Sequence, residues 1–163
     1  MILRKLKIQD AEPMLEWMHD PEVVSHLKGN FAGKSLSDCQ AFIRNSGEDP
    51  ENVHFAIADD QDRYLGTVSL KHIQKDFAEF AIVICKAAMG TGTSRAAMGR
   101  MLEYGIRELK LPSIYWCVSR KNTRAVRFYD KNGYVRADII PARLEELYAP
   151  EKGSLLWYCY NGN

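Results

Sequence analysis

The chain has 163 residues, enough for one domain with a substantial core that needs neither disulfides nor a structural metal. Apolar residues make up 46% and charged residues 26%, and 22 basic against 21 acidic residues leave a formal charge of +1. A nucleic-acid-binding domain usually has a pI above about 9 and clustered basic residues, whereas this chain has a pI near 7.7 and scattered charges, so we expect no nucleic-acid partner.

The first third of the chain is typical of one strand followed by helices. ILRKLKI (2–8) predicts a strand, and a helix follows with Asp10 as its candidate N-cap. A second, short helix is predicted from Asp20 and Pro21. KSLSDCQAFIRNS predicts a third, capped by Ser35 or Ser37.

The middle of the chain alternates in the manner of a sheet and then turns helical. VHFAIAD (53–59) and LGTVSLKHI (65–73) predict a hairpin around DDQDR, and FAEFAIVIC (77–85) predicts the next strand. A helix is predicted from about Ser94, with Pro112 as a stop. Its apolar stripe comprises Met98, Met101, Leu102, Gly105 and Leu109.

The last third combines strands with one further helix. SIYWCV (113–118) predicts a strand, and NTRAVRFYDKNGY (122–134) predicts a helix with Ala125, Phe128 and Tyr129 on one face and Gly133 as its terminator. YVRADI (134–139) and SLLWYCY (154–160) predict two closing strands. The sequence contains no internal repeat and no linker. We therefore expect a single domain over 1–163 of the α/β or α+β class, with helices on both faces of a mixed sheet.

Two glycines interrupt the segment CKAAMGTGTSRAAMGR (85–100). Gly90 and Gly92 stand between a predicted strand and a predicted helix. Such glycines can expose several backbone N–H groups to an anion, or they can simply make a tight turn. Taken alone, this segment favours the turn.

A second string, about 30 residues later, decides between the two interpretations. NTRAVRFYDKNGY matches the pattern N-x-x-A-x-x-F-Y-x-x-x-G-F/Y at every defined position, and Gly90 and Gly92 match the glycines of Q/R-x-x-G-x-G/A, where Ala87 replaces the Gln or Arg. The two strings together resemble those of the GNAT superfamily of acyl-CoA-dependent N-acetyltransferases. LEWMHDPEVVSHL (15–27) is similar to its RimJ/RimL-like branch and to amino-sugar N-acetyltransferases.

The resemblance implies a fold and a cofactor. It implies the GNAT acyl-CoA N-acyltransferase fold, with a mostly antiparallel sheet of about six to seven strands in which FAEFAIVIC splays from SIYWCV and leaves unpaired N–H groups near Val83 and Cys85. It implies acetyl-CoA as the cofactor, held at its phosphates mainly by main-chain N–H groups. The residues expected to bind it are Val83, Ile84, Cys85, Met89, Gly90, Thr91, Gly92, Thr93, Ser94, Asn122, Ala125, Phe128 and Lys131.

Two residues are the candidates for proton transfer. The family often places a tyrosine near the thioester sulfur as general acid, which implies that role for Tyr129; the alternative is a core aromatic whose hydroxyl is bonded elsewhere. Glu79 shares a strand face with Ala81 and Val83 by alternation. Its carboxylate could take a proton from the attacking ammonium, or could simply pair with a lysine such as Lys71.

The acceptor is the part that these strings leave open. Trp17, His19, His26 and Phe31 are the candidates for binding it, because the family admits its substrate near this segment. A protein N-terminus, a small amine and an amino-sugar or aminoglycoside-like amine all remain candidates, as does a non-catalytic acyl-CoA-binding module. We expect direct transfer in a ternary complex, by a monomer or a homodimer.

The spacing of the cysteines and the length of the apolar runs indicate the cellular compartment of the protein. The four cysteines are far apart, with no C-x-x-C pair or His/Cys cluster, so we expect reduced thiols and no metal site. No run approaches the roughly 18 apolar residues of a membrane span. We therefore expect a cytoplasmic protein without membrane association.

Overall fold

A computed structural model describes residues 1–162 of the chain. Within these residues the strands are β1 (Ile2–Arg4), β2 (Val53–Ala58), β3 (Tyr64–Lys71), β4 (Phe77–Ile84), β5 (Ser113–Ser119), β6 (Val135–Arg136) and β7 (Leu155–Asn161). The α-helices are α1 (Ala11–Met18), α2 (Pro21–Val24), α3 (Leu36–Asn45), α4 (Thr93–Arg107), α5 (Thr123–Lys131) and α6 (Ala142–Leu147). Short 3₁₀ turns cover Ile8–Asp10, Lys86–Ala88 and Ala149–Ser154.

All seven strands belong to one sheet in the order β1-β2-β3-β4-β5-β7-β6. Every neighbouring pair is antiparallel except β4 and β5, which run parallel. The expected mixed, mostly antiparallel sheet of six to seven strands is therefore confirmed.

Helices cover both faces of the sheet, also as expected. On one face α4 packs on the strands through its buried stripe, and Trp116 and Tyr158 extend this core beneath α5. On the other face α1 and α3 enclose a smaller core around Met14 and Trp17. The functional groups lie where these two cores meet at β4 and β5.

Local capping explains where the first helices begin. The Ser35 hydroxyl accepts from the N–H of Asp38, and the Asp38 carboxylate accepts from the N–H of Ser35, which forms a capping box at the start of α3. Asp20 caps α2. Asp10 stands at the N-cap of α1, but its carboxylate instead receives the Arg4 guanidinium and the backbone N–H of residue 7.

Several predicted boundaries were wrong. The strand predicted over 2–8 ends at Arg4, because the bonds from Arg4 and Lys7 to Asp10 turn the chain into a 3₁₀ turn. The α4 stripe is buried as predicted except at Leu109, which lies past the helix end because Lys110 adopts a left-handed φ of 58°.

The chain between the last two strands also differs from its prediction. The strand predicted over 134–139 pairs only at Val135–Arg136, and α6 and a 3₁₀ turn occupy the predicted connection to β7. Among residues 1–162, no helix combines the length and the apolar character that crossing a bilayer requires.

Candidate active site

A fork opens in the sheet between β4 and β5. The two strands pair only from Phe77 opposite Ser113 to Glu79 opposite Tyr115. Beyond that point β4 stays with β3 up to Ile84, while β5 stays with β7, so the two strands diverge. The splay that the resemblance implied is therefore present, and Glu79 lies at its apex.

Aromatic side chains close the fork on the α4 side. Phe80 and Trp116 directly follow the last paired residues, and their rings pack edge to face with centroids 5.8 Å apart. Trp116 also packs against Tyr129 at 5.6 Å and stacks on Tyr158 at 5.8 Å. Because side chains alternate along a strand, Glu79 projects from the opposite face to Phe80.

The open edge of β4 offers backbone donors, but not at both predicted positions. The N–H of Cys85 donates to the carbonyl of Leu65 at 2.8 Å, so it is not free. Alternation then turns the N–H groups of Ile82 and Ile84 away from β3 and toward the fork, and that of Val83 toward β3. The prediction of unpaired N–H groups near Val83 and Cys85 is corrected to Ile82 and Ile84.

The glycine-containing loop after β4 has the geometry of an anion site. Gly90 and Gly92 have φ of 77° and 85°, in the left-handed region that favours glycine. A Cβ at either position would meet no atom within 4 Å, so the space in front of both is open. Both glycines therefore satisfy a backbone requirement and leave room for a ligand.

The first turn of α4 supplies donors to this loop. The first N–H of the helix to reach a backbone carbonyl is that of Ala96, on Gly92. Within residues 1–162, the N–H groups of Thr93 and Ser94 have no backbone acceptor. An unpaired first turn of a 15-residue helix attracts anions through its donors and its dipole. Thr91 orders the loop through hydroxyl bonds to the carbonyl of Ala88 and to Thr93.

One predicted donor is already used, and one charge was missed. The N–H of Met89 bonds to the carbonyl of Lys86 at 3.1 Å, so Met89 contributes no free N–H to the loop. The guanidinium of Arg124 lies 3.4 Å from the Met89 sulfur. It brings a positive charge to the loop that Ala87 cannot provide, and its outward position on the predicted α5 helix was the only signal for it in the sequence.

The remaining predicted contacts of the cofactor lie along α5. Asn122 caps this helix through its Oδ1, which accepts from the N–H of Ala125 at 3.2 Å. Ala125 and Phe128 are half-buried against the main core, and Lys131 is exposed at the far end of the helix. The structure therefore gives Asn122 a capping function in addition to the predicted one.

Tyr129 is buried among aromatic rings, yet its hydroxyl bonds to no group of residues 1–162. Burial raises its pKa, and the nearby Cys117, Tyr158 and Tyr134 raise it further. The phenol therefore stays protonated at neutral pH. The alternative was that the Tyr129 hydroxyl bonds elsewhere in the core, but no such partner exists in the described part of the chain.

Glu79 is only 3% exposed and lies among polar groups from three elements. Its Oε1 accepts a short hydrogen bond from the Tyr148 hydroxyl and lies 3.8 Å from Lys71 Nζ. Its Oε2 has no hydrogen-bond partner within residues 1–162, and His72 Nε2 lies 3.5 Å from Glu79 Oε2. The suggested contact with Lys71 exists, but one carboxylate oxygen remains available.

Three neighbours of Glu79 have pKa values that favour their uncharged forms: Cys117, Tyr148 and His72. Burial and then the charge of Glu79 raise the pKa of the Cys117 thiol to about 12. Burial, the charge of Glu79 and the hydrogen bond to it raise the pKa of Tyr148. Burial is the largest cause of the lowered pKa of His72, against the opposing effect of Glu79. Neither Tyr148 nor His72 was predicted, because each reaches Glu79 only through the folded sheet.

A cavity of about 300 Å³ lies between the helices α1 and α3 and the β2–β4 face of the sheet. Two of the predicted acceptor-binding residues, Trp17 and Phe31, line it, with their rings 5.3 Å apart. The Trp17 indole donates to the Tyr64 hydroxyl at 3.0 Å, which fixes its orientation. Ala81, Ile82 and Val83 of β4 also line this cavity, so it adjoins the fork.

The two predicted histidines do not line this cavity. His19 is exposed, and its Nε2 lies 2.8 Å from the carbonyl of Lys34. His26 is exposed after α2. His54 was not predicted, yet it lines the cavity and bonds to Ser69 at 2.6 Å. Its place inside the predicted strand over 53–59 was the only signal for it in the sequence.

Comparison with known proteins agrees with this geometry. Residues 1–135 match the family model of the acetyltransferase (GNAT) domain. Spermidine N(1)-acetyltransferase of Vibrio cholerae serotype O1 is 30% identical over 104 residues, which span 63% of this chain and 60% of that protein. Acetyltransferase PseH of Campylobacter jejuni is 19% identical over 134 residues, 82% of each chain.

A solved structure shows the same fold. The crystal structure of spermidine N-acetyltransferase from Vibrio cholerae in complex with CoA and spermine aligns with a TM-score of 0.80, at 23% identity, over 98% of this chain and 94% of that one. The family match, the fork and the anion-binding loop agree with one another. The chain therefore belongs to the GNAT acetyltransferase family and is an N-acetyltransferase that uses acetyl-CoA.

Proposed function

We propose that this enzyme transfers the acetyl group directly to a small primary amine bound beside the fork. The observation that carries the proposal is the fork itself, with a buried carboxylate at its apex on one face and, beneath its other face, a phenol that has no hydrogen-bond partner among the described residues 1–162. Acetyl-CoA supplies the acetyl group as a thioester. The groups of this chain bind the two reactants, orient them and move the protons.

Backbone groups orient the donor. The N–H groups of Ile82 and Ile84 point into the fork, where they can donate to the pantetheine amide and polarise the thioester carbonyl. The first turn of α4 and the left-handed Gly90 and Gly92 offer donors for the diphosphate. Arg124 adds charge at the same loop. None of these contacts requires the side chain that Ala87 lacks.

Glu79 is the proposed base. Primary amines are mostly protonated at pH 7, and the ammonium form cannot attack. The free Oε2 can take the proton, directly or through water, while Tyr148 holds Oε1 in place. His72 lies 3.5 Å from this oxygen, and its lowered pKa keeps its imidazole neutral, so it is placed to pass the proton onward.

Tyr129 is the proposed acid. A thiolate leaves when the carbon–sulfur bond breaks, and its acid has a pKa of about 8.5. The protonated phenol lies across the sheet from Glu79 and has no competing hydrogen bond among residues 1–162. Acid and base therefore act from opposite faces of the fork.

A covalent route through a thiol is less well supported. Cys117 lies close enough to the apex for the charge of Glu79 to act on it, and its pKa of about 12 leaves almost no thiolate at neutral pH. Cys85 lies at the end of β4. The variants Cys85→Ala and Cys117→Ala separate the routes, since direct transfer predicts that both retain turnover.

The acceptor class is tested with a panel of amines. Purified protein, acetyl-CoA and one amine at a time are mixed, and free thiol is measured. The panel contains primary monoamines, spermidine, glucosamine, and peptides with a free N-terminus. Turnover of a small amine supports the proposal. Tight CoA binding with no turnover of any member supports a non-catalytic module, and turnover of peptides alone supports a protein N-terminus as the acceptor.

A further inference from the structure

We infer that the acceptor is a monoamine with an apolar body, held in the cavity under α1 and α3, rather than a polyamine or an amino sugar. This inference rests on the proposed function and narrows it to one substrate class. It departs from the spermidine in the name of one relative.

The cavity wall is dominated by apolar and aromatic side chains. Its volume of about 300 Å³ holds about ten groups the size of a water molecule, so a compact amine fits. The apolar wall residues are Met14, Trp17, Met18, Phe31, Cys39, Phe42, Ala81, Ile82 and Val83. Burial of an apolar body against such a wall favours binding by about fourfold for each methylene.

The charges at the cavity disfavour a polycation. Lys34 and Lys71 both line it, against the single carboxylate of Asp38. One oxygen of that carboxylate, Oδ2, is engaged, because it accepts from both the backbone N–H and the hydroxyl of Ser35 at the start of α3. A second ammonium on the ligand would therefore meet two cations against one carboxylate, so the charged residues that line the cavity repel it on balance.

The neutral polar side chains of the wall have hydrogen-bond partners within the protein rather than facing the cavity unpaired. His54 and Ser69 are joined at 2.6 Å, and burial lowers the pKa of His54, so its ring carries no charge at neutral pH. The Thr67 hydroxyl is within 2.7 Å of the Tyr64 hydroxyl. Few wall groups are left to replace the water around the hydroxyls of a sugar, which penalises an amino sugar.

The reactive end of such an amine meets the catalytic groups. Val83 and Ile82 line both the cavity and the fork, and Lys71 connects the cavity to Glu79 at 3.8 Å. When the apolar tail of the amine occupies the cavity, its nitrogen therefore points toward the apex of the fork. The positive charge of Lys71 favours the neutral, attacking form of that nitrogen.

A matched pair of acceptors tests this inference. Heptylamine and 1,6-diaminohexane have the same number of non-hydrogen atoms and differ only by a methyl group in place of an ammonium group. We expect kcat/KM for heptylamine to exceed that for 1,6-diaminohexane by about 100-fold or more, since the second ammonium would lose its water beside a mostly apolar wall that carries two lysines against one aspartate. Within the series from propylamine to heptylamine, kcat/KM should rise about fourfold per methylene.

Variants of residues that line the cavity provide a second test of the inference. Lys34→Glu should raise the ratio of 1,6-diaminohexane to heptylamine turnover about tenfold. Lys5→Glu makes the same charge change at an exposed residue that does not line the cavity and should leave the ratio unchanged. Phe31→Ala should lower kcat/KM for heptylamine about tenfold and that for propylamine much less, because only the longer chain reaches the lost ring.

The outcomes separate this inference from the proposed function. Equal or better turnover of 1,6-diaminohexane, spermidine or glucosamine overturns the inference and leaves small-amine acetylation standing. Absence of turnover with every amine overturns the proposed function. In that case calorimetric titration of heptylamine and 1,6-diaminohexane into the enzyme saturated with CoA still decides the inference, and tighter binding of the diamine overturns it.

Discussion

Replacing Tyr129 by Phe removes a hydroxyl that bonds to nothing in residues 1–162 and leaves the packed ring in place. The loss of this one atom should change the free energy of unfolding by less than about 0.5 kcal/mol. A general acid contributes about 10² to 10⁴ in rate. We therefore expect kcat to fall by that factor, which corresponds to about 3 to 5 kcal/mol of activation free energy.

Three measurements on the same preparation separate catalysis from folding. Thiol release at saturating acetyl-CoA gives kcat, calorimetry gives the Kd for CoA, and urea denaturation gives the free energy of unfolding. Tyr134→Phe is the matched control, because it makes the same change in the same aromatic cluster, 5.2 Å from Trp116. It should keep kcat within about threefold of the parent.

The pH dependence of the Tyr129→Phe variant adds an independent readout. The raised pKa keeps the phenol protonated in the folded chain, while in the unfolded chain it ionises near pH 10. Its contribution to stability is thus fully present below about pH 10 and is lost as pH rises further. The variant should lose less stability above pH 10 than the parent. A kcat within threefold of the parent, or a fall in stability as large as the fall in activity, would refute the acid role.

Three further changes test the rest of the site. Glu79→Gln should lower kcat about 100-fold at pH 7, with a deficit that narrows toward pH 10 as the neutral amine increases; a deficit that is the same at both pH values argues against a base. Gly92→Ala should lower the free energy of unfolding by roughly 1 to 2 kcal/mol because of its φ of 85°, and it should weaken CoA binding. The control Gly99→Ala, inside α4 with open space around it, should raise the free energy of unfolding by about 0.5 to 1 kcal/mol. Equal effects of the two variants in urea denaturation and calorimetry would contradict the loop geometry. Iodoacetamide at pH 8 should alkylate Cys117 about a thousandfold more slowly in the folded protein than in urea, as its pKa of about 12 requires, and mass spectrometry of the peptide would expose a reactive thiolate instead.

Features that depend on neighbours in the chain were predicted from the sequence. The capping serine of α3, the buried face of α5 and the left-handed glycines before α4 each follow from a few adjacent residues. The resemblance added the fork, which no periodicity in β4 or β5 indicates. Strand ends were less predictable. At β1, for example, pairing stops where the Asp10 carboxylate binds the Arg4 guanidinium, and the alternation of side chains in the sequence does not indicate this contact.

The groups around Glu79 could not be predicted because they come from distant parts of the chain. Tyr148 reaches Glu79 across 69 positions of sequence, from the end of a short helix that has no strong apolar pattern. The N–H groups that face the fork were placed one residue off, since only the pairing of Cys85 with Leu65 shows which set is free. A change of one residue in strand phase exchanges every inward group for an outward one.

The parallel seam between β4 and β5 is only three residue pairs long, so the sheet consists of two parts that share few main-chain bonds. Beyond that point the rings of Phe80 and Trp116 join the two strands directly. A ligand that lies along the open edge of β4 replaces the absent interstrand hydrogen bonds and holds the two parts of the sheet together. Amide exchange at Ile82 and Ile84 should therefore slow more on CoA binding than exchange elsewhere in the sheet, which makes the donor a mechanical brace as well as a reactant.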